Sequence, residues 1–323
     1  MPKEIMHWLV AEKTAAGLTG TCLGNAARRC PNALKIGAVF PDMPYYLAGT
    51  SKLAEMAALV ANEYHGAHGE DTFILPRTVL SRIPDDNPPA HLSFLVGVVS
   101  HLQADIVFHP LIFFLTGNYH DHDPEKRSRA VCCHRRFEGM LDLHVCRLLK
   151  RKPGHFKAWE SWRGLESRNL FGWAEGDKKR PELGTMLKLA AKRFLAAQRI
   201  FINPAASFLA EVLDPLLPHA LKQLAALFYR PAPEYLMVRL SRTLEYRNPV
   251  SGEMSRTRVD ELLDRAVEES VALCRRLESV WSGKNRSWLS ERGPSLNFGL
   301  IGADVSLARY FAEPLFFEIH KDR

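Results

Sequence analysis

The chain has 323 residues, 46% hydrophobic and 24% charged, a globular composition that excludes collagen-like, low-complexity and disordered classes. Six cysteines without a C-x-x-C pair are too few for a disulfide scaffold or a zinc finger, and they read as reduced thiols. The net charge of +7 points toward anionic partners such as phosphate esters, nucleic acid or anionic lipid; a solvated basic surface is the alternative, since no run of five basic residues occurs.

Taken in chain order, apolar residues recurring every three to four positions predict helices over 1–16, 52–63, 89–115, 127–149, 182–201, 205–228 and 259–281. Alternating apolar and polar runs are scarce, so the expected fold class is all-α: a multi-helix bundle with a helical C-terminal extension. The start, MPKEIMHWLVAEKTAAG, has neither the apolar core nor the cleavage site of a secretory signal, and a cytoplasmic protein is expected. The stretch 92–115 is long enough to span a bilayer. His101, Gln103, Asp105 and His109 interrupt its middle, and a helix buried in a protein core carries such groups at lower cost than lipid does. No transmembrane segment is expected. Pro and Gly mark connections at 83–89 and 230–233. Ten of the thirteen histidines lie between His7 and His144, which divides the chain into a chemical part, 1–175, and a helical extension, 176–323. The polar run 175–180 suggests the boundary.

Two helical stripes carry the chemistry. His101, Asp105 and His109 stand at i, i+4 and i+8, so they share one face of an otherwise apolar helix, about 6 Å apart along its axis. His134, Glu138 and Asp142 repeat the spacing on the next helix. Either stripe alone fits hydrogen-bonded core residues or a surface ion pair. Together they fit two helices facing each other and holding divalent cations between imidazoles and carboxylates. His7 near the start, Asp42 after Pro41, and His68, with His65 three residues before it, are further candidates. The segment His120-Asp-His-Asp123 reads as a solvated loop. Phe228 and Tyr229 read as core, and 187–228 as packing surface, lid, dimer face or membrane contact.

The ordered set of an N-terminal His, a Pro-Asp, a His-Gly, a His-x-x-x-Asp and a His-x-x-x-Glu resembles the zinc-dependent phospholipase C family. That family is related in fold to the S1/P1-type nucleases, and the catalytic domain of glycosylphosphatidylinositol phospholipase D is similar. The resemblance covers roughly residues 1–145 and implies an all-helical fold with up to three zinc ions. It implies that Asp42, His68, His101 and Asp105 hold one zinc, with Asp105 bridging to a second. His134 and Glu138 would bind another, and His7 would serve the site beside Asp105. It favours His68 over His65, because Gly-Glu-Asp-Thr follows His68 as in family members. The chain departs from the family in two places. Secreted members use a freed α-amine as a ligand, whereas His7 here stands very close to Met1. They also carry a His two residues beyond the proline that follows His-x-x-x-Asp, where this chain has Ile112; His109 is the substitute.

These ligands imply a metal-dependent phosphodiester hydrolase of the phospholipase C type, with Asp42 also orienting or deprotonating the attacking water. A phospholipid head group is the favoured substrate, with peripheral membrane contact. The competing readings are an S1/P1-like nuclease and a non-catalytic helical interaction protein that keeps the scaffold.

Overall fold

A side-chain cap and a proline set where the second and third helices begin. In the computed structural model, which describes residues 3–84, 88–165, 169–175, 177–283 and 290–312, α1 (Glu4–Gly17) is followed by α2 (Cys22–Arg29) and α3 (Pro31–Gly37). Thr21 opens α2 by accepting from the Gly24 amide, and Pro31 occupies the first position of α3, where a missing N–H costs nothing. A 3-10 turn, Phe40–Tyr46, leads to α4 (Lys52–His65) and α5 (Ile74–Ser81). The two longest helices are α6 (Pro88–Thr116) and α7 (Pro124–Leu148). After the short α8 (Ala158–Trp162) come α9 (Leu183–Phe201), α10 (Pro204–Leu213), α11 (His219–Ala225), α12 (Glu234–Leu240) and α13 (Val259–Trp281). One antiparallel hairpin, β1 (Leu244–Arg247) with β2 (Met254–Thr257), pairs Leu244 with Thr257. The all-α expectation therefore holds.

The helix expected over 205–228 is broken. It stops at Leu213 and resumes at His219, across a 3-10 turn at Asp214–Leu216. Pro215 and Pro218 lack the amides that a continuous helix needs there. On α10 only Ser207 is buried, while Phe208, Leu209 and Val212 are exposed, as is Leu216 just beyond. The connection expected over 83–89 lies partly outside the described residues, as does Gly176 at the proposed boundary.

Helix α6 is the axis of the fold. It packs against α1, α2, α3, α5, α7 and α13, and nearly all of its residues are buried. By length and composition it is apolar enough to cross a membrane, but here protein surrounds it. One apolar cluster centres on Phe40, Phe94, Phe171 and Phe194, and a second on Phe108, Phe137, Leu111 and Leu262. Each mixes side chains from before and after residue 175. The tightest crossing is α3 on α6, where a Cβ at Gly97 would collide with the Leu34 carbonyl oxygen and one at Gly37 with the Phe94 carbonyl oxygen. Backbone cannot give way as a flexible side chain can, so Gly97→Val should destabilise the fold by about 3 kcal/mol or more. Thermal unfolding followed by circular dichroism reads this directly, and an unchanged midpoint would contradict the crossing.

Candidate metal centre

Because α6 is buried on all sides, its polar stripe meets other polar groups rather than water. His101, Asp105 and His109 are each at most 1% exposed. The Asp105 carboxylate splits its contacts. Its Oδ2 lies 3.2 Å from His101 Nε2 and 3.6 Å from His65 Nε2, while its Oδ1 lies 3.4 Å from His7 Nε2 and 3.9 Å from His109 Nε2. Asp42, on the 3-10 turn after Pro41, closes the first side with Oδ1 at 3.1 Å from His65 Nε2 and 3.5 Å from His101 Nε2. Asp42, His65, His101 and Asp105 thus present four ligand atoms within 4.8 Å of one another, all buried. A second buried group with the same spacing is formed by His109, His134 and Glu138, with His134 Nε2 at 2.9 Å from Glu138 Oε1.

Three of the imidazoles are aimed by backbone carbonyls. His65 Nδ1 donates to Ala61 O at 2.7 Å, His101 Nδ1 to Ala38 O at 2.8 Å, and His109 Nδ1 to Leu296 O at 2.8 Å. A carbonyl can only accept, so each ring carries a proton on Nδ1 and turns Nε2 toward the cavity, where the neutral His109 ring offers a lone pair. Nothing in side-chain spacing reveals these three acceptors, because any residue type supplies a carbonyl.

The protonation states are set by burial and neighbouring charge. Burial pushes His7 and His109 down to about 3 and His134 well below the usual imidazole range, so these rings are neutral at pH 7. Burial opposes charge on His101 too, but Asp42 and Asp105 outweigh it and raise that ring to about 10. For Asp105, burial pushes upward and is outweighed by His109, His101 and His7, which hold the carboxyl well below the usual carboxylate range.

A divalent cation fits this donor set. Among the described residues, His101 Nε2, His109 Nε2, both Asp105 oxygens and both His7 nitrogens are buried without an aligned hydrogen-bond partner. Orphaned polar atoms of this kind are costly unless an ion or water satisfies them.

Two sequence expectations change. His65, not His68, faces the cavity: α4 carries His65 inward on its last turn, and the chain then reverses at Gly66 (φ +62°). His68 is carried to the surface, its side chain 59% exposed and 3.2 Å from Asp304. In the family-like Gly-Glu-Asp-Thr after it, Glu70 caps that turn by accepting the His68 amide, whereas Thr72 is buried. Asp142, the third member of the α7 stripe, faces α1 instead of a metal site. It accepts the Ile5 and Met6 amides at 3.0 and 2.8 Å, and the Tyr229 hydroxyl lies 2.6 Å from it and 3.0 Å from Glu4. His7 stacks on His101, ring centroids 4.0 Å apart, beside Asp105 but in neither ligand group. On the rim, His120 is exposed; Tyr229 is buried, and its hydroxyl belongs to the polar network around Asp142.

His65→Ala should cut the metal content of the first group, and His68→Ala should leave it unchanged; elemental analysis of the two variants reads the difference, and the reverse pattern would restore His68. Metal uptake should also release a proton. In the metal-free protein His101 stays protonated up to about pH 10, and a bound cation must displace that proton. Apparent affinity should therefore rise about tenfold per pH unit from pH 6.5 to 8.5 and fall on acidification. Competition titrations with a chelating dye test this, and a flat profile would refute it.

A sequence profile of the family described as zinc dependent phospholipase C matches residues 6–176. No curated protein and no solved structure matches the chain significantly. The matched span is more than half of the chain, runs from α1 past α8, and contains every residue of both buried ligand groups. With zinc the metal that these imidazole and carboxylate donors serve, the chain belongs to the zinc-dependent phospholipase C family of hydrolases.

Proposed function

We propose that the chain hydrolyses a phosphodiester, with a phospholipid as the substrate. The observation that carries this reading is Asp105, whose two oxygens face the imidazoles of two adjacent ligand groups. Asp42, His65, His101 and Asp105 would hold one zinc, and His109, His134 and Glu138 another, with His7 beside Asp105 as a further donor. Zinc held there supplies Lewis acidity and an acidified water near neutral pH.

The remaining work belongs to the side chains. The Asp42 side chain is 11% exposed, against 3% for His65 and none for His101 and Asp105, so it is the carboxylate that an entering water meets. Burial raises its pKa, but His101 and His65 overcome that and hold its carboxyl below the usual range, which suits it to orient the water as an acceptor. The water oxygen adds to phosphorus, the phosphorus–oxygen bond on the glycerol side breaks, and the water's proton ends on the leaving alkoxide. No covalent enzyme intermediate is needed. Tyr45, exposed and 5.3 Å from the His65 ring, and Tyr119, half-buried and 5.1 Å from the His134 ring, flank the two groups on the solvent side. The apolar surface of α10, with Phe208, Leu209 and Val212 in water, favours a substrate presented at a lipid surface.

Asp105→Asn should lose at least one zinc and lower phosphodiesterase activity by more than about 100-fold, because a neutral amide offsets less of the cations' mutual repulsion. The circular dichroism spectrum should stay that of the parent. The assay uses a chromogenic phosphodiester, phosphatidylcholine vesicles and single-stranded DNA side by side. Hydrolysis of DNA alone would move the reading to a nuclease, and a zinc-loaded parent inactive on all three would move it to a non-catalytic protein.

A further inference from the structure

Residues 290–312 lie outside the span that matches the family, yet they run along both ligand groups. One residue links the two. The Leu296 amide donates to the carbonyl of His65 at 2.9 Å, and its own carbonyl accepts from His109 Nδ1 at 2.8 Å. His65 belongs to the first ligand group and His109 to the second. Leu296 is fully buried, and its side chain joins the larger apolar cluster.

The segment is pinned on both sides of this contact. Before it, the Gly293 amide donates to Asp71 Oδ1 at 2.7 Å and the Thr72 hydroxyl to Pro294 O at 2.8 Å. After it, Asn248 Nδ2 donates to Phe298 O at 2.7 Å, the Val305 amide to Ala67 O at 2.9 Å, and the Ala312 amide to Phe114 O at 2.8 Å. Between these anchors the chain makes a tight turn, with Ser295 N bonded to Leu300 O and Gly299 N to Ser295 O. Gly299 takes a left-handed conformation (φ +68°), 3.0 Å from the Ile106 carbonyl oxygen of α6 when a Cβ is placed on it. Segments held only for their own stability do not need a carbonyl placed on one imidazole and an amide on the backbone of another.

We propose that residues 290–312 act as a positioning strap for the metal centre, with Leu296 fixing the tautomer and aim of His109 and its register with His65. This rests on the reading of His109 as a metal ligand. The carbonyl keeps the His109 proton on Nδ1, so Nε2 faces Asp105 and the second ligand group with its lone pair. With the carbonyl displaced, the ring is released to rotate and to share its proton between the two nitrogens, and the second group loses affinity before the first. Among the described residues, the hydrogen bonds and ion pairs of the other first-group donors, Asp42, His101 and Asp105, run to partners outside the strap.

The test uses the full chain. Gly299→Ala forces a Cβ into the left-handed turn and against Ile106, which displaces the Leu296 carbonyl; Asn248→Ala removes one anchor more gently and serves if the first variant does not fold. Nitrogen-15 spectra of histidine-labelled, metal-free protein read the tautomer, and zinc titration reads the affinity of each group. The expected result is a folded variant in which His109 becomes a tautomeric mixture and one zinc binds about 10- to 100-fold more weakly, the other unchanged. A folded variant that keeps the Nδ1–H tautomer and full zinc affinity overturns the strap. If the parent protein takes up no zinc, the reading of the ligand groups fails, and the tautomer measurement still decides whether the strap aims His109.

Discussion

A carboxylate with no access to water, set in the most buried helix of the protein, is the constraint from which the rest of the arrangement follows. Asp105 stands on α6 with apolar neighbours along most of its length. An isolated ionised group there would be costly enough to neutralise itself or unfold the helix. Instead imidazoles on α1, α4 and α6 itself surround it, with His7, His65, His101 and His109 all within 3.9 Å of its oxygens, and the charged His101 ring holds its carboxyl ionised at neutral pH. The central place of α6 makes this possible, because a helix touched by α1, α7 and the turn bearing Asp42 can receive one donor from each. Close packing at Gly37 and Gly97 brings α3 and the Ala38 carbonyl near enough to hold the His101 ring.

Coulomb attraction between rings and carboxylates sets the charges, but it has little directional preference. Direction comes from the carbonyls of Ala61, Ala38 and Leu296. Each fixes which nitrogen is protonated and therefore which one faces the cavity. His101 Nε2, 3.2 Å from Asp105 Oδ2, and His109 Nε2, 3.9 Å from Asp105 Oδ1, then face that carboxylate without hydrogen-bond alignment, a geometry suited to a cation between them. The folded chain has in this sense prepared the site before any metal arrives. His101 is the exception, since Asp42 and Asp105 keep it charged until a cation displaces its proton.

How much of this could be read in the sequence depended on whether one helix carried the information. The stripe His101, Asp105, His109 and the pair His134, Glu138 lie within single helices, where spacing alone decides which residues share a face, and α6, α7 and α13 begin and end within three residues of expectation. His65 against His68 depended on where α4 stops and on a reversal of the chain at Gly66, which periodicity does not encode. The break between α10 and α11 follows from Pro215 and Pro218, although the apolar spacing continues through them. The contacts of Leu296 left no trace at all, since they are made by its backbone to residues 187 and 231 positions earlier in the chain.

Asp142 shows why identical spacing yields different roles. His134, Glu138 and Asp142 descend one face of α7 at intervals of one turn, and their side chains are all nearly buried. What differs is the surface opposite. Glu138 looks onto imidazoles, whereas Asp142 looks onto the first turn of α1, whose amides have no partner within their own helix and whose dipole favours negative charge. Those amides take Asp142 as their acceptor, and Lys3, Glu4, Gln198 and Tyr229 complete a polar network around it that draws on α9 and the segment after α11. Burial and the nearby Glu4 push the Asp142 carboxyl up to about 7, so its ionised form is held only weakly by those amides and the Tyr229 hydroxyl. The gain is geometric. Clamping Ile5 and Met6 to α7 sets the rotation of α1, and that rotation is what lays the His7 ring flat on His101 beside Asp105.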